Sequence, residues 1–227
     1  MKLSIIMPVL DEAQGVGAAL RALQPLRARG HEVIVVDGGS EDGTPELAAP
    51  LADRVIAAPR GRASQMNRGA AAAVGEALLF LHADTRLPPE ADGLIQEALA
   101  GGSRCWGRFD VRIEGRSPLL AVVGFCMNLR SRLTRIATGD QAIFATRAAF
   151  GRIGSFPEIA LMEDIAFSKR AKRLSAPACL RAVATTSGRR WDRRGVLRTV
   201  LLMWRLRLAY FFGARADELA RLYSGKA

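Results

Sequence analysis

Residues 78–85 read Leu78-Leu79-Phe80-Leu81-His82-Ala83-Asp84-Thr85, and this stretch decides the fold. Four apolar residues in succession, after an Ala-rich, helix-like segment, fit a strand buried on both faces of a parallel sheet. Its carboxyl end carries His-x-Asp, and in an open α/β sheet ligands bind at that end of the strands. Residues two apart on an extended backbone project to the same side, so His82 and Asp84 can share a divalent cation. The same pair can instead close the strand in a polar turn through local hydrogen bonds. The flanking sequence has to separate the two readings.

On the N-terminal side, residues 3–10 (LSIIMPVL) form a buried strand that Pro8 helps to end. Asp11-Glu12 opens an amphipathic helix with Val16, Leu20, Leu23 and Leu26 on one face, closed by Gly30. Residues 32–36 (EVIVV) are a second strand. It delivers the turn Asp37-Gly38-Gly39-Ser40-Glu41-Asp42-Gly43-Thr44, with Asp42 or Thr44 as helix cap and Pro45 in the first turn. Strand, helix, strand, helix is the order of a doubly wound parallel sheet. At a strand tip Asp37 can accept hydrogen bonds from a base or ribose, or simply cap a glycine turn. Neither GxGxxG nor a Walker sequence is present. A third strand over 54–57 leads into a helix over 63–74, and Arg60, Arg62 and Arg68 lie near that helix's start. They can meet a diphosphate there or stay solvated.

Beyond Thr85, Pro88-Pro89-Glu90 starts a helix through Leu99. Residues 105–113 (CWGRFDVRI) alternate as an edge or antiparallel strand would. A helix over 118–134 follows, then the polar turn Gly139-Asp140-Gln141 with a short strand, and a turn or short helix over 150–156. Met162-Glu163-Asp164 begins the next helix, where a carboxylate pair also suits the macrodipole. In the final helix, 195–213, Val196, Val200, Met203, Trp204, Leu208 and Phe211 share a face, interrupted by Arg198, Arg205 and Arg207. Three arginines argue against a membrane span. The helix lies in a membrane interface, or docks on the domain, or pairs with a second subunit as a homodimer.

The chain has 227 residues, 49% hydrophobic and 24% charged, enough for a sizeable α/β core and far from a disordered composition. Its net charge of +11 is uneven: residues 1–100 carry 9 basic and 13 acidic groups, residues 101–186 carry 14 and 6, and residues 187–227 carry 10 and 3. A basic C-terminal half suits phosphate-bearing ligands, an anionic membrane surface or nucleic acid. Cys105, Cys126 and Cys179 are too scattered for a disulfide framework or thiolate metal site. Met1-Lys2-Leu3-Ser4 runs directly into a strand, which gives a cytoplasmic expectation. The expected layout is one domain over 1–186, with a nucleotide half (1–100) and an acceptor half (101–186), followed by a basic amphipathic helical extension over 187–227.

Pro8–Glu12, the Asp37–Thr44 turn, Asn67-x-Gly69, the stretch ending at Asp84 and Glu163-Asp164 occur in the order and spacing of the family 2 glycosyltransferases of GT-A fold. The chain resembles them from residue 3 to about residue 174. The resemblance implies a Rossmann-like, mostly parallel central sheet with helices on both faces and a C-terminal helical extension. It implies that Pro8, Leu10 and Glu12 line the nucleotide pocket, that Asp37 contacts the base, and that Ser40 holds the next part of the site. Arg62, Asn67, Ala83 and Arg190 complete the donor set. Asp84 matches the last acid of the family's Asp-x-Asp, the ligand of Mn²⁺ or Mg²⁺ bridging the donor diphosphate, and His82 stands in place of the first. Asp164 matches the general base, Glu163 its companion, and Asp140 and Gln141 border the acceptor. Arg189-Arg190-Trp191 resembles Gln-x-x-Arg-Trp with Ser187 at the glutamine, and Trp191 would stack on donor or acceptor.

The implied activity is inverting transfer of a sugar from a UDP- or GDP-sugar to a small-molecule or lipid-linked acceptor, without a nucleic-acid partner. The compact form with His-Ala-Asp-Thr and Gly-Asp-Gln resembles a bacterial subgroup associated with arsenosugar biosynthesis. Two other classes stay open on the residues alone. One is a nucleotidyltransferase, which would want a basic Gly-rich signature near the first strand. The other is a non-catalytic protein binding nucleic acid or membrane through its basic half.

Overall fold

Strand β1 (Leu3–Val9) is the pivot of the sheet. β2 (Glu32–Asp37) pairs with it on one side and β4 (Ala77–Phe80) on the other, both parallel, so that Ile6 faces Ile34 and Phe80 across the two ladders. β3 (Arg54–Ala57) extends the β2 edge, also parallel. The computed structural model describes residues 1–224, and within them one sheet runs β3-β2-β1-β4-β7-β6-β8-β5. Of its other members, β6 (Trp106–Glu114) and β8 (Ala178–Ser187) continue the common direction. The short β7 (Phe144–Thr146) and β5 (Thr85–Arg86) run against it. The sheet is therefore mostly parallel and doubly wound, as expected.

Helices cover both faces. Leu3, Ile5, Met7 and Val9 of β1 point into one core with α1 (Ala13–Ala22), α2 (Gln24–Ala28), α3 (Thr44–Ala48) and α5 (Ala91–Ala100). Ile6, on the alternate face, joins α4 (Arg62–Ala72) and Trp106 in a second core. That core also holds residues of α7 (Arg147–Ile153) and α8 (Glu163–Ala171), where Phe156 stacks on Phe167 at 4.5 Å. Gly69 of α4 makes this packing possible. A Cβ there would stand 2.4 Å from a methyl of Ile6 and 2.9 Å from one of Val36, so only glycine lets the helix lie this close to β1 and β2. The remaining helices are α6 (Leu119–Thr134), α9 (Arg189–Arg194), α10 (Val196–Phe211) and α11 (Ala216–Ser224). The expected C-terminal extension is thus three helices, and its residues 225–227 lie outside the described residues.

Three expectations need correction. The helix opened by Asp11-Glu12 divides at Leu23, because Pro25 sits in the first turn of α2 and supplies no amide hydrogen to continue α1. Residues 105–113 are not at an edge: β6 lies between β7, antiparallel, and β8, parallel. Both faces of its first half are covered, so burial is continuous from Trp106 to Phe109 and alternates only afterwards. Lastly, ten residues form β8 where the sequence reading placed no strand; it is the longest ladder partner of β6.

Burial of β6 encloses a charge. The Arg108 guanidinium is fully buried and pairs with Asp110, whose other oxygen accepts from Arg132 of α6 at 2.6 Å. Removing the carboxylate would leave Arg108 uncompensated in the core. Asp110→Ala is expected to lower the unfolding free energy by about 3–5 kcal/mol in a denaturant titration, whereas Arg215→Ala, at the exposed Asp217 pair, should cost about 1 kcal/mol or less.

Candidate functional site

The chain leaves β1 for β2 and β3 on one side, then crosses to β4 on the other. At this switch the carboxyl ends of β1 and β4 diverge and open a cleft of about 980 Å³. Pro8 to Glu12 form one wall, Arg60 to Arg62 at the start of α4 another, and His82-Ala83-Asp84, after β4, the centre. The far side comes from Asp140, from Thr186 and Ser187 at the end of β8, and from α9 and α10, which contribute Arg190, Trp191, Thr199 and Met203. An ion pair between Arg189 Nη2 and Glu12 Oε2, 3.4 Å, joins the C-terminal segment to the first helix.

Local hydrogen bonds fix the walls. The turn after β2 is stapled to the turn after β1. Ser40 Oγ accepts from the Asp11 amide, Thr44 Oγ1 from the Glu12 amide and Asp42 from the Ala13 amide, each at 2.9 Å. Asp37 is buried and accepts from the Gly39 and Ser40 amides and the Ser40 hydroxyl, so in this structure it closes its own turn. Gln65 donates to the Val9 and Val36 carbonyls at the ends of β1 and β2.

At the centre, one oxygen of Asp84 lies 3.4 Å from Thr85 Oγ1 and 3.5 Å from Thr186 Oγ1, both long contacts. Its other oxygen has no hydrogen-bond partner among the described residues. His82 turns away toward the 3-10 turn Gly139–Gln141, with Nδ1 3.4 Å from Asp140 Oδ1. A Cβ on Gly139 would stand 2.5 Å from the imidazole, so this residue must be small for His82 to lie there. Desolvation pushes the pKa of the Asp140 carboxyl up, but the His82 hydrogen bond and charge, with the charges of Arg62 and Arg190, hold it below the ordinary value. The Arg190 pKa also lies below its ordinary value, lowered by partial burial and then by the charges of Arg62 and Arg194. Its guanidinium stacks on the Tyr223 ring at 4.2 Å.

Among the described residues no three His, Cys, Asp or Glu side chains gather closely enough to cage a metal. A hard cation sharing its coordination with ligand phosphates needs only one or two protein carboxylates. Asp84, with a carboxylate oxygen unengaged in the cleft, fits that requirement. His82, held against Asp140, fits it less directly.

Glu163 and Asp164 start α8 and do not line the cleft. Asp164 is joined to it through the backbone, Oδ2 accepting from the Gly139 amide at 3.0 Å and Oδ1 from the Ile165 amide at 2.7 Å. Around it the field is basic. Arg207 of α10 and Arg130 of α6 both feel the Asp164 carboxylate, and two nitrogens of Arg130 are buried without a hydrogen-bond partner. Burial, then repulsion by Arg207, brings the Arg130 pKa down to about 10. Glu163 is buried, and that burial, followed by the Asp164 charge, pushes its carboxyl up to about 7.

The structure therefore gathers Pro8, Leu10, Glu12, Arg62, His82, Ala83, Asp84, Asp140, Arg190 and Trp191 around one cleft. Asp37 and Ser40 form its supporting turn. Asn67 is elsewhere, bonding the Phe156 amide and carbonyl and tying α4 to the segment before α8. Gln141 is fully buried, closing a capping box with Thr138 and reaching Asn128. Thr186, Thr199, Met203 and Tyr223 line the cleft without any motif to mark them. Their only foreshadowing is the polar end of the β8 sequence and the basic amphipathic helix that follows.

A sequence model described as glycosyl transferase family 2 matches residues 4–152. A "PGL/p-HBAD biosynthesis glycosyltransferase" of Mycobacterium bovis is 34% identical over 165 residues, covering 67% of this chain and 62% of the relative. The chain thus spans less than two thirds of that relative's length. Staphylococcus aureus TarS, solved with UDP-GlcNAc, superposes with a TM-score of 0.66 at 20% identity over 82% of this chain and 58% of its own. A mannosyltransferase from Pyrobaculum calidifontis, solved with GDP-Man and Mn²⁺, does so at 0.64 and 21% over 97% and 69%. Both share the GT-A type of α/β fold found here.

Glu163 gives a pH signature. Its folded pKa of about 7 lies above its ordinary 4.5, so the folded state binds the extra proton between those values. Its contribution to stability therefore falls as pH rises through that window and is level above it. Glu163→Gln is expected to remove this decline, by on the order of 3 kcal/mol at most, read as the difference in unfolding free energy between pH 5 and pH 8. An identical pH profile in the variant would mean that Glu163 ionises as an ordinary carboxyl.

Proposed function

The chain belongs to glycosyl transferase family 2, and on that premise we propose that it transfers a sugar from a nucleoside-diphosphate sugar to an acceptor hydroxyl, inverting the anomeric carbon. The observation that carries the reading is the meeting, in one cleft at the sheet's switch point, of the Asp84 carboxylate with Arg62 and Arg190. Carboxylate and guanidinium together are what a metal-bound diphosphate requires. The Asp37 turn and the residues from Pro8 to Glu12 would hold the nucleoside. A divalent cation held by Asp84, Mn²⁺ or Mg²⁺, would supply Lewis-acid neutralisation of the leaving diphosphate. Arg62 and Arg190 would orient the diphosphate and take up part of its charge as the bond from C1 to the phosphate oxygen breaks. Trp191 would stack on the sugar or acceptor.

For the attacking group, Asp164 is proposed as the base that takes the acceptor proton while the new C1–O bond forms. Each of its oxygens accepts one amide hydrogen and keeps a further lone pair. Arg130 and Arg207 beside it favour an acceptor bearing negative charge, within the small-molecule or lipid-linked class. The relatives named above lend no support to the arsenosugar subgroup, so the acceptor is proposed from charge alone. In this reading Glu163, whose carboxyl is pushed up to about 7, carries less negative charge beside the base than an ordinary glutamate would.

Screening UDP- and GDP-sugars by thermal shift should find one that raises the melting temperature further with Mn²⁺, and Asp84→Ala should abolish the metal-dependent part. If no sugar nucleotide at millimolar concentration shifts the transition, with or without metal, the donor site is wrongly assigned. Asp164→Asn should bind donor normally but transfer at a rate lower by roughly 10²–10⁴. If Asp140→Asn has that effect and Asp164→Asn does not, the base is Asp140, which lines the cleft.

A further inference from the structure

Helix α10 has two faces of opposite character. Inward, Thr199 and Leu206 are 2% and 1% exposed, and Leu206 packs with Met162, Ile165 and Leu219. Outward, Leu197, Leu201, Trp204, Leu208 and Phe211 are between 60% and 74% exposed. Their spacing of four, three, four and three residues aligns them in one stripe along the helix. Arg198 and Arg205, seven residues apart and both exposed, run along one edge of that stripe. Between α10 and α11 a groove of about 480 Å³ brings Arg194, Arg198 and Arg205 together with Leu201, Leu202 and Leu222.

A row of large apolar side chains this exposed is rare on a protein that meets only water. No helix among the described residues is long and apolar enough to cross a membrane. A helix with leucine and aromatic residues on one face and arginine at its border has the composition of one that lies in the plane of a bilayer.

We propose that the outward face of α10 docks on an anionic phospholipid surface, with the Leu–Trp–Phe stripe at the boundary of headgroups and acyl chains and the arginine groove receiving a lipid phosphate. Charge selects this occupant. The segment 187–227 carries ten basic and three acidic groups, and arginines flank the stripe itself. A two-fold pairing with a second copy would set this strongly basic segment against its own like. The bilayer instead offers phosphate to the groove and hydrocarbon to the stripe. The groove joins the two ligand chemistries, guanidinium and leucine, that such a lipid presents together.

Docking has a geometric consequence. Thr199 and Met203, on other faces of the same helix, line the candidate cleft, so seating α10 on a membrane brings the cleft to the lipid surface. This narrows the acceptor to the lipid-linked class. That narrowing rests on the transferase reading, whereas the docking does not.

The test is flotation of the whole chain with vesicles of phosphatidylcholine alone and of phosphatidylcholine mixed with phosphatidylglycerol, without sugar nucleotide or metal. Binding to the mixed vesicles and much weaker binding to the neutral ones is expected. The pair Arg198→Gln with Arg205→Gln should weaken binding to the mixed vesicles by roughly fivefold for each arginine. Leu201→Glu with Leu208→Glu should abolish it. All four positions are exposed, so melting temperatures within a few degrees of the parent, a shift typical of surface substitutions, verify folding. Absence of binding to either vesicle, binding unchanged in both variants, or a solution dimer that Leu201→Glu disperses would each overturn the proposal. A sugar-nucleotide thermal shift that persists while vesicle binding fails would leave the transferase reading standing.

Discussion

Everything in the structure depends on β1 being paired on both sides, parallel, with β2 and β4. A strand hydrogen-bonded on two sides and covered on two faces must be apolar wherever a side chain has no buried partner, which explains LSIIMPV, whose one polar side chain, Ser4, donates to Glu32 of β2, and the buried runs of its neighbours. Because the chain winds away from β1 in opposite directions, no connection crosses its carboxyl end, and a cleft is left there. Side chains that follow β1 and β4 in sequence, Glu12 and Asp84 among them, are delivered to it by backbone geometry alone. Gly69 maintains this arrangement from behind by letting α4 approach β1 and β2.

The cleft is a contest of charges. Its centre is acidic, with Asp84 and Asp140; its rim is basic, with Arg60, Arg62, Arg189 and Arg190. The rim brings cations close enough to oppose one another: burial first, and then the charges of Arg62 and Arg194, lower the Arg190 pKa. An anion seated between Arg62 and Arg190 would relieve that repulsion, and a cation on Asp84 would let the anion approach the carboxylates. The two ligands are therefore expected to bind better together than apart. β8 makes this possible. By running parallel to β6 it carries the chain back to Asp84, where the Ser187 amide donates to the Asp84 carbonyl at 3.1 Å, and releases the basic helices over the cleft.

The nucleotide half was legible because its rules are local. Apolar runs of strand length, a capped glycine turn and His-x-Asp at a strand end each declare themselves within eight residues, and β1, β2, β3 and β4 lie where those runs are. The second half obeys contacts distant in sequence. β6 alternates in only half its length, since β7 and β8, whose paired residues lie 37–39 and 71–73 positions further along the chain, decide which faces are covered. The β8 sequence ACLRAVATTS is rich in alanine and carries Arg181 mid-strand, giving neither period-two alternation nor an apolar run. Asn67 and Gln141 show the complementary difficulty. Their places in the family pattern suggest ligand contacts, yet their amides are absorbed in bonds to Phe156 and to Thr138 and Asn128. A sequence shows which groups could bond and not which partner reaches them first.

The central claim is that one cleft holds a nucleoside diphosphate between Arg62 and Arg190 through a cation on Asp84. The most direct measurement is a crystal structure of the chain with a nucleoside diphosphate and Mn²⁺, using anomalous scattering to place the metal. The account predicts manganese coordinated by the Asp84 carboxylate and by diphosphate oxygens, with Arg62 and Arg190 in hydrogen-bond reach of the phosphates and the base beside the Asp37 turn. Diphosphate bound in the arginine groove between α10 and α11, or manganese bound away from Asp84, would contradict it.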